Sequence, residues 1–123
     1  MHNILLVEDN LHNIRLMEQL LEEIDDSIHL VEARTGTEAL QKATQAPYKL
    51  VLMDISLPDM DGVTAMRELR KMPEFEQVPI IAATAHAMAD DKEFFRKIFD
   101  DYIVKPIDED IFTETVKKWL GEE

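Results

Sequence analysis

The chain has 123 residues, 26 of them acidic and 13 basic, for a net charge of −13, and it contains no cysteine. That length suits one domain with its own core. The missing thiols exclude a disulfide framework or a thiolate metal site, and the surplus of acid disfavours a phosphate backbone, so no nucleic-acid partner is expected. No apolar run reaches the length of a membrane span, and charges fall where a signal peptide would be apolar, which points to the cytoplasm and to no membrane contact.

Short apolar runs alternate with amphipathic stretches along the whole chain. Ile4 to Val7 reads as a strand, followed by a helix whose stripe is Leu11, Ile14, Met17, Leu21 and Ile24, with Asn10 as its cap. Ile28 to Ala33 is the second strand, and Thr37 to Gln45 a short helix turning Ala39, Leu40 and Ala43 inward. Leu50 to Met53 is the third strand; Asp61 caps the helix that follows, with Val63, Met66 and Leu69 on its stripe. Pro79 to Ala83 precedes a helix from about Ala87 to Phe99 carrying Phe94, Phe95 and Ile98. Tyr102 to Val104 is the last strand, and Asp108 caps a final helix with Ile111, Phe112, Val116, Trp119 and Leu120. The strands are mostly apolar throughout rather than strictly alternating, as in a parallel sheet covered on both faces. Five βα units in a row therefore predict one α/β domain over residues 1–123, with helices on both sides of a parallel sheet.

In such a sheet ligands sit beyond the carboxyl ends of the strands. Those ends read Glu8-Asp9, Asp54, Thr84 and Lys105-Pro106. A strand often ends on a polar residue, but these types are chemically complementary. Three carboxylates brought together repel by about 4 kcal/mol per pair at 4 Å with an effective dielectric of 20. Lys105 offsets part of that and a hard divalent cation the rest. Mg²⁺ suits few carboxylates with room for water, and Pro58 interrupts any calcium-loop spacing after Asp54. A carboxylate beside Mg²⁺, a lysine and a hydroxyl is equipped for phosphoryl transfer through an aspartyl phosphate. Asp54, on the middle strand, is the expected nucleophile; Glu8 and Asp9 are expected metal ligands, and Thr84 a hydrogen-bond donor to a phosphoryl oxygen.

Four blocks carry a family likeness: Ile4-Leu5-Leu6-Val7-Glu8-Asp9-Asn10, Asp54-Ile55-Ser56-Leu57-Pro58-Asp59-Met60-Asp61-Gly62, Thr84-Ala85-His86-Ala87-Met88 and Tyr102-Ile103-Val104-Lys105-Pro106. In this order and spacing the chain resembles a response-regulator receiver domain of two-component signalling over essentially its whole length. The resemblance implies a flavodoxin-like (βα)5 sandwich with sheet order 2-1-3-4-5. It implies Asp54 as phosphoacceptor, fed by a histidine kinase or a histidine phosphotransfer protein, and Mg²⁺, with Mn²⁺ as a substitute, bound by Asp9, Asp54 and the Ser56 backbone carbonyl. It further implies Lys105 paired with the phosphoryl group, a cis bond before Pro106, Thr84 and Tyr102 as a switch pair, and Gly62 at the start of the third helix. Two departures stand out. Glu8 replaces the more usual aspartate, and Lys97-Ile98-Phe99-Asp100-Asp101 replaces the small or glycine-containing turn before the switch aromatic. Ser56 and His86 occupy positions where receivers vary and tune phosphate lifetime.

Plainer roles are expected elsewhere. His86 is a loop residue rather than a base; His2, His12 and His29 lack metal-ligand spacing and lie on the surface. The seven methionines fill core gaps, Trp119 packs on the sheet, and Asp90-Asp91-Lys92-Glu93 is a solvated helix start. The leading expectation is a stand-alone, monomeric or weakly dimeric interaction module, not an enzyme, since the chain stops just past the fifth helix and Met1 directly precedes the first strand. Its output would pass to a protein target on the face of the fourth helix, fifth strand and fifth helix, where Phe94, Tyr102 and Trp119 lie. Alternatives are the receiver segment of a hybrid histidine kinase and, further off, a Mg²⁺-dependent phosphohydrolase. The last needs an aspartate two residues after the nucleophile, where this chain has Ser56.

Overall fold

A computed structural model describes residues 2–85 and 89–121. Five parallel strands, β1 (His2–Val7), β2 (Ile28–Ala33), β3 (Leu50–Asp54), β4 (Ile80–Thr84) and β5 (Asp101–Val104), form one sheet in the order β2-β1-β3-β4-β5. The helices are α1 (Leu11–Ile24), α2 (Gly36–Lys42), α3 (Gly62–Arg70), α4 (Ala89–Ile98) and α5 (Glu109–Leu120), with a 3₁₀ turn at Pro73–Phe75. This is the flavodoxin-like architecture that the resemblance implies.

The apolar strands are explained by their two faces. Leu5, Val7, Val51 and Met53 point into one core with residues of α2, α3 and α4, among them Ala39, Ala65 and Leu69. Their neighbours Ile4, Leu6, Leu50 and Leu52 point into the other, with Ile14 and Met17 of α1 and Phe112 and Val116 of α5. Alternate side chains thus serve opposite layers, and Leu50–Asp54 is buried at every position. Among the described residues no helix is long and apolar enough to cross a membrane.

The expected caps form. Asn10, Asp61 and Asp108 accept the backbone N–H of Asn13, Thr64 and Ile111, respectively. Helix α2 departs from its expected span of 37–45. It begins at Gly36 because Thr35 Oγ1 accepts Glu38 N–H at 3.0 Å, and it stops at Lys42, whose carbonyl takes the Tyr48 hydroxyl at 2.8 Å and Gln45 N–H at 3.1 Å. Three residues read as core-facing turn outward instead: Leu11, Phe94 and Ile111 are 43%, 47% and 54% exposed. Phe94 and Phe95 are adjacent, about 100° apart around the helix, so only one can face the sheet; Phe95 does. His12 and His29 are exposed as expected, whereas His2 is half-buried and meets Asp25 Oδ2 at 3.4 Å. Met17, Met53 and Met66 are core residues. The partly buried Trp119 packs on the core and donates Nε1–H to Asp101 Oδ2 at 2.9 Å. Met1, His86, Ala87 and Met88 lie outside the described residues, as do the side chains of Asp90 and Asp91.

The unusual turn before β5 is accommodated by side-chain bonds. Phe99 enters the core. Asp100 accepts Ile80 N–H at 2.7 Å and Arg70 Nη2 at 2.6 Å, while Arg70 Nη1 donates to the carbonyls of Phe75 and Val78 at 2.6 and 2.8 Å. One guanidinium therefore fastens α3 to the turn preceding β5 and to the segment leading into β4. Arg70→Ala is expected to cost about 1–2 kcal/mol, a charge-assisted bond discounted for partial exposure. A urea-unfolding midpoint equal to wild type would refute that role.

Candidate functional site

All five strands run the same way, so their carboxyl ends share one edge. Glu8 and Asp9 follow β1, Asp54 and Thr84 end β3 and β4, and Lys105 follows β5. Glu8, Asp54 and Thr84 are the buried polar residues at this edge, exposed by 1%, 4% and 1%, respectively. Each of Glu8, Asp9 and Asp54 offers a carboxylate oxygen within 4.8 Å of the others. The Lys105 ammonium lies between two of them, 2.7 Å from Glu8 Oε1 and 3.1 Å from Asp54 Oδ1. Asn10 N–H donates to Glu8 Oε2 at 3.2 Å and Ser56 N–H to Asp54 Oδ1 at 3.1 Å. The Lys105–Pro106 peptide bond is cis, and Lys105 N–H donates to the Thr84 carbonyl at 2.7 Å.

The electrostatics follow from that placement. Burial first, and then the charge of Glu8, push the Asp54 carboxyl up from its ordinary value; Lys105 and the Ser56 amide pull it back only in part. Burial drags the Lys105 ammonium down, but its bond to Glu8 and the charges of Asp54 and Glu8 prevail, and the net direction is up. Two buried acids thus share one lysine. Glu8 Oε1 is buried with the Lys105 ammonium at 2.7 Å and no other donor on it among the described residues. A buried carboxylate oxygen with capacity left, beside an exposed Asp9 and an under-neutralised Asp54, is a donor set fitted to a small, hard divalent cation.

Gly62, Ser56 and Tyr102 are the other anticipated residues that fall within the described ones. Gly62 opens α3 where a Cβ would sit 2.3 Å from the Asp54 carbonyl oxygen and 2.8 Å from Ile55 Cα, so no side chain fits without moving the backbone of Asp54. Tyr102 is half-buried, with Arg96 Nη2 at 3.4 Å from its hydroxyl and the guanidinium carbon 5.2 Å from its ring centroid. Ser56 is exposed, and His86 falls outside the described residues. Beside Tyr102 a groove of about 490 Å³ runs between α4, β5 and α5, lined by Arg96, Tyr102, Val104, Ile111 and Thr115 among others.

Two contacts escaped the sequence reading. Arg96 is one, in the last turn of α4 and over the Tyr102 ring. Asp59 is the other: its Oδ1 accepts Gly36 N–H at 2.8 Å, and its Oδ2 accepts Thr37 N–H at 2.9 Å and the Thr37 hydroxyl at 2.5 Å. The Thr37 hydroxyl and amide, with the Gly36 amide, hold this carboxyl down at about 2. The cue available was an acid flanked by Pro58 and Met60, with its partners 22 and 23 residues away in sequence.

Comparison with known proteins adds three relatives. The response regulator receiver domain profile matches residues 4–117. The histidine-protein kinase BarA of Escherichia coli (strain K12) is 41% identical over 108 residues, covering 87% of this chain but only 12% of BarA. The polar-differentiation response regulator DivK of Brucella ovis is 37% identical over 121 residues, 98% of this chain and 97% of DivK. The crystal structure of the receiver domain of sensor histidine kinase PA1611 from Pseudomonas aeruginosa PAO1 is 34% identical with a TM-score of 0.86, covers 98% of both chains, and has a magnesium ion coordinated in its active-site cleft.

Proposed function

The chain belongs to the response regulator receiver domain family, and from that membership we propose that Asp54 accepts a phosphoryl group from a histidine kinase or a histidine phosphotransfer protein. The observation that carries the assignment is the convergence of Asp54 with Glu8, Asp9 and Lys105 at one sheet edge.

In the transfer, an Asp54 carboxylate oxygen forms the new O–P bond. The N–P bond of the donor phosphohistidine breaks, and the imidazole nitrogen leaves with the electron pair. Lys105, already drawn to Asp54 Oδ1, is within reach of the incoming phosphoryl oxygens and neutralises charge there. Asp9 and Asp54, the Ser56 backbone carbonyl and Glu8 through water would hold Mg²⁺, or Mn²⁺ in its place, and the cation supplies charge neutralisation and orientation of the phosphoryl group. Thr84 donates its hydroxyl to the aspartyl phosphate, and Tyr102 turns into the space that the hydroxyl leaves. The groove of α4, β5 and α5 then presents a changed surface to a downstream protein.

The domain works in this reading as a switch in the cytoplasm, not a turnover enzyme, because Ser56 stands where a phosphohydrolase would carry its acid/base aspartate. The DivK match, nearly end to end, favours a single-domain regulator, and the surplus of acid favours a protein target over nucleic acid; in this reading the regulator is monomeric or weakly dimeric and makes no membrane contact. The BarA and PA1611 matches favour a second reading, a receiver segment of a hybrid histidine kinase with the same chemistry; the intact mass of the protein in its source cell separates the two. The central claim is tested with an acyl phosphate and Mg²⁺: one phosphoryl group per chain is expected, mapped to the peptide containing Asp54 and lost when the cation is chelated. Label on any other residue, or unaffected by chelation, overturns it.

A further inference from the structure

The segment between β3 and α3, residues 55–61, is tied at both ends near the site. Ser56 N–H donates to Asp54 Oδ1 at 3.1 Å, and Gly62 N–H to the Ile55 carbonyl at 2.8 Å. Its middle is tied elsewhere. The three bonds from Asp59 to Gly36 and Thr37 reach the first turn of α2, an element that contributes no residue to the acid cluster. Met60 reinforces the same contact: a Cβ on Gly36 would lie 2.3 Å from Met60 Cγ, so the two segments pack with no room for a methyl group. Three donors of one remote turn meet on this exposed carboxylate, and such an arrangement fixes direction as well as distance. Solvent access leaves Asp59 itself little reason to be bonded for the sake of burial.

We infer that Asp59 is a positioning residue for the metal site. By clamping the middle of the 55–61 segment to α2 it sets the path of the backbone at Ser56, and hence the affinity of the acid cluster for Mg²⁺. The inference rests on the metal-assisted reading above, with Ser56 as a backbone ligand. It also assigns α2 a task, since Thr37 and Gly36 supply the donors.

The test uses the full chain and magnesium chloride alone, titrated calorimetrically or through the amide resonances of Asp54 and Ser56. Asp59→Ala is expected to weaken Mg²⁺ binding about tenfold, the lower end of the loss seen when the groups orienting metal ligands are removed. Thr37→Val, which deletes only the hydroxyl donor, is expected to weaken it about threefold, the size of one neutral hydrogen bond. At saturating Mg²⁺ the Asp59 variant should reach the label stoichiometry of wild type. Arg70→Ala serves as the control, less stable yet unchanged in Mg²⁺ affinity. A merely structural Asp59 would behave like that control. Mg²⁺ affinity of both Asp59→Ala and Thr37→Val within the error of wild type overturns the inference, and should the first fail to fold, the second decides alone. Wild-type protein that binds no Mg²⁺ and takes no label would instead overturn the reading on which the inference rests.

Discussion

Asp54→Asn is expected to take no label from acyl phosphate and to unfold at a higher temperature than wild type in Mg²⁺-free buffer at neutral pH. The first effect follows from losing the carboxylate proposed as the nucleophile. The second follows from the crowding of acids: Lys105 keeps Glu8 at 2.7 Å after the substitution, while the second buried charge disappears. Burial and Glu8 raise the Asp54 carboxyl in the folded protein, so the folded state holds this proton more tightly than the unfolded chain does. Ionisation therefore penalises the fold. The penalty is absent below the unfolded value of about 3.9, grows as pH rises toward the folded value, and is complete above it. The stability advantage of the variant should accordingly be largest at neutral pH and vanish in acid. Adding Mg²⁺ should narrow it by stabilising wild type alone. Label at wild-type stoichiometry on the variant would remove Asp54 from its role, and a neutral-pH midpoint below wild type would refute the account of the charges.

Lys105→Met, similar in length and uncharged, is expected to slow labelling by about 10² to 10³ at saturating Mg²⁺, as for loss of one preorganised group facing developing charge. It should also destabilise the metal-free protein by about 3 kcal/mol, since two buried carboxylates lose their shared cation. The two losses are read separately, the first from the rate of label uptake and the second from urea unfolding at neutral pH. A labelling rate within a few-fold of wild type would mean that the ammonium, though 3.1 Å from Asp54 Oδ1, takes no part in the transfer.

The edge where these residues meet was legible from the chain because parallel strands impose it. Once Ile4–Val7, Leu50–Met53 and the later runs read as strands buried on two faces, whatever followed each of them had to share one end of the sheet. Glu8, Asp9, Asp54, Thr84 and Lys105 could be collected without knowing a single distance. What stayed hidden depends on contacts between residues far apart in the chain. The stop of α2 at Lys42 rests on the Tyr48 hydroxyl. The tolerance of Phe99-Asp100 before β5 rests on Arg70, 30 residues away. The outward turn of Phe94 and Ile111 shows the related weakness of helical stripes, whose margins a period of 3.6 does not resolve. Asp59 was read only as part of a spacing, because its partners lie on a helix whose start had been placed one residue late.

The absent side chain at Gly62 has a mechanical consequence. With the Asp54 carbonyl oxygen only 2.3 Å from where a methyl would begin, the first turn of α3 and the end of β3 are fitted surface to surface, and any side chain at position 62 would push one off the other. The corner that carries Asp54 is therefore held backbone against backbone. Tyr102, on the edge strand β5, is held instead by side chains, with the guanidinium of the exposed Arg96 over its ring.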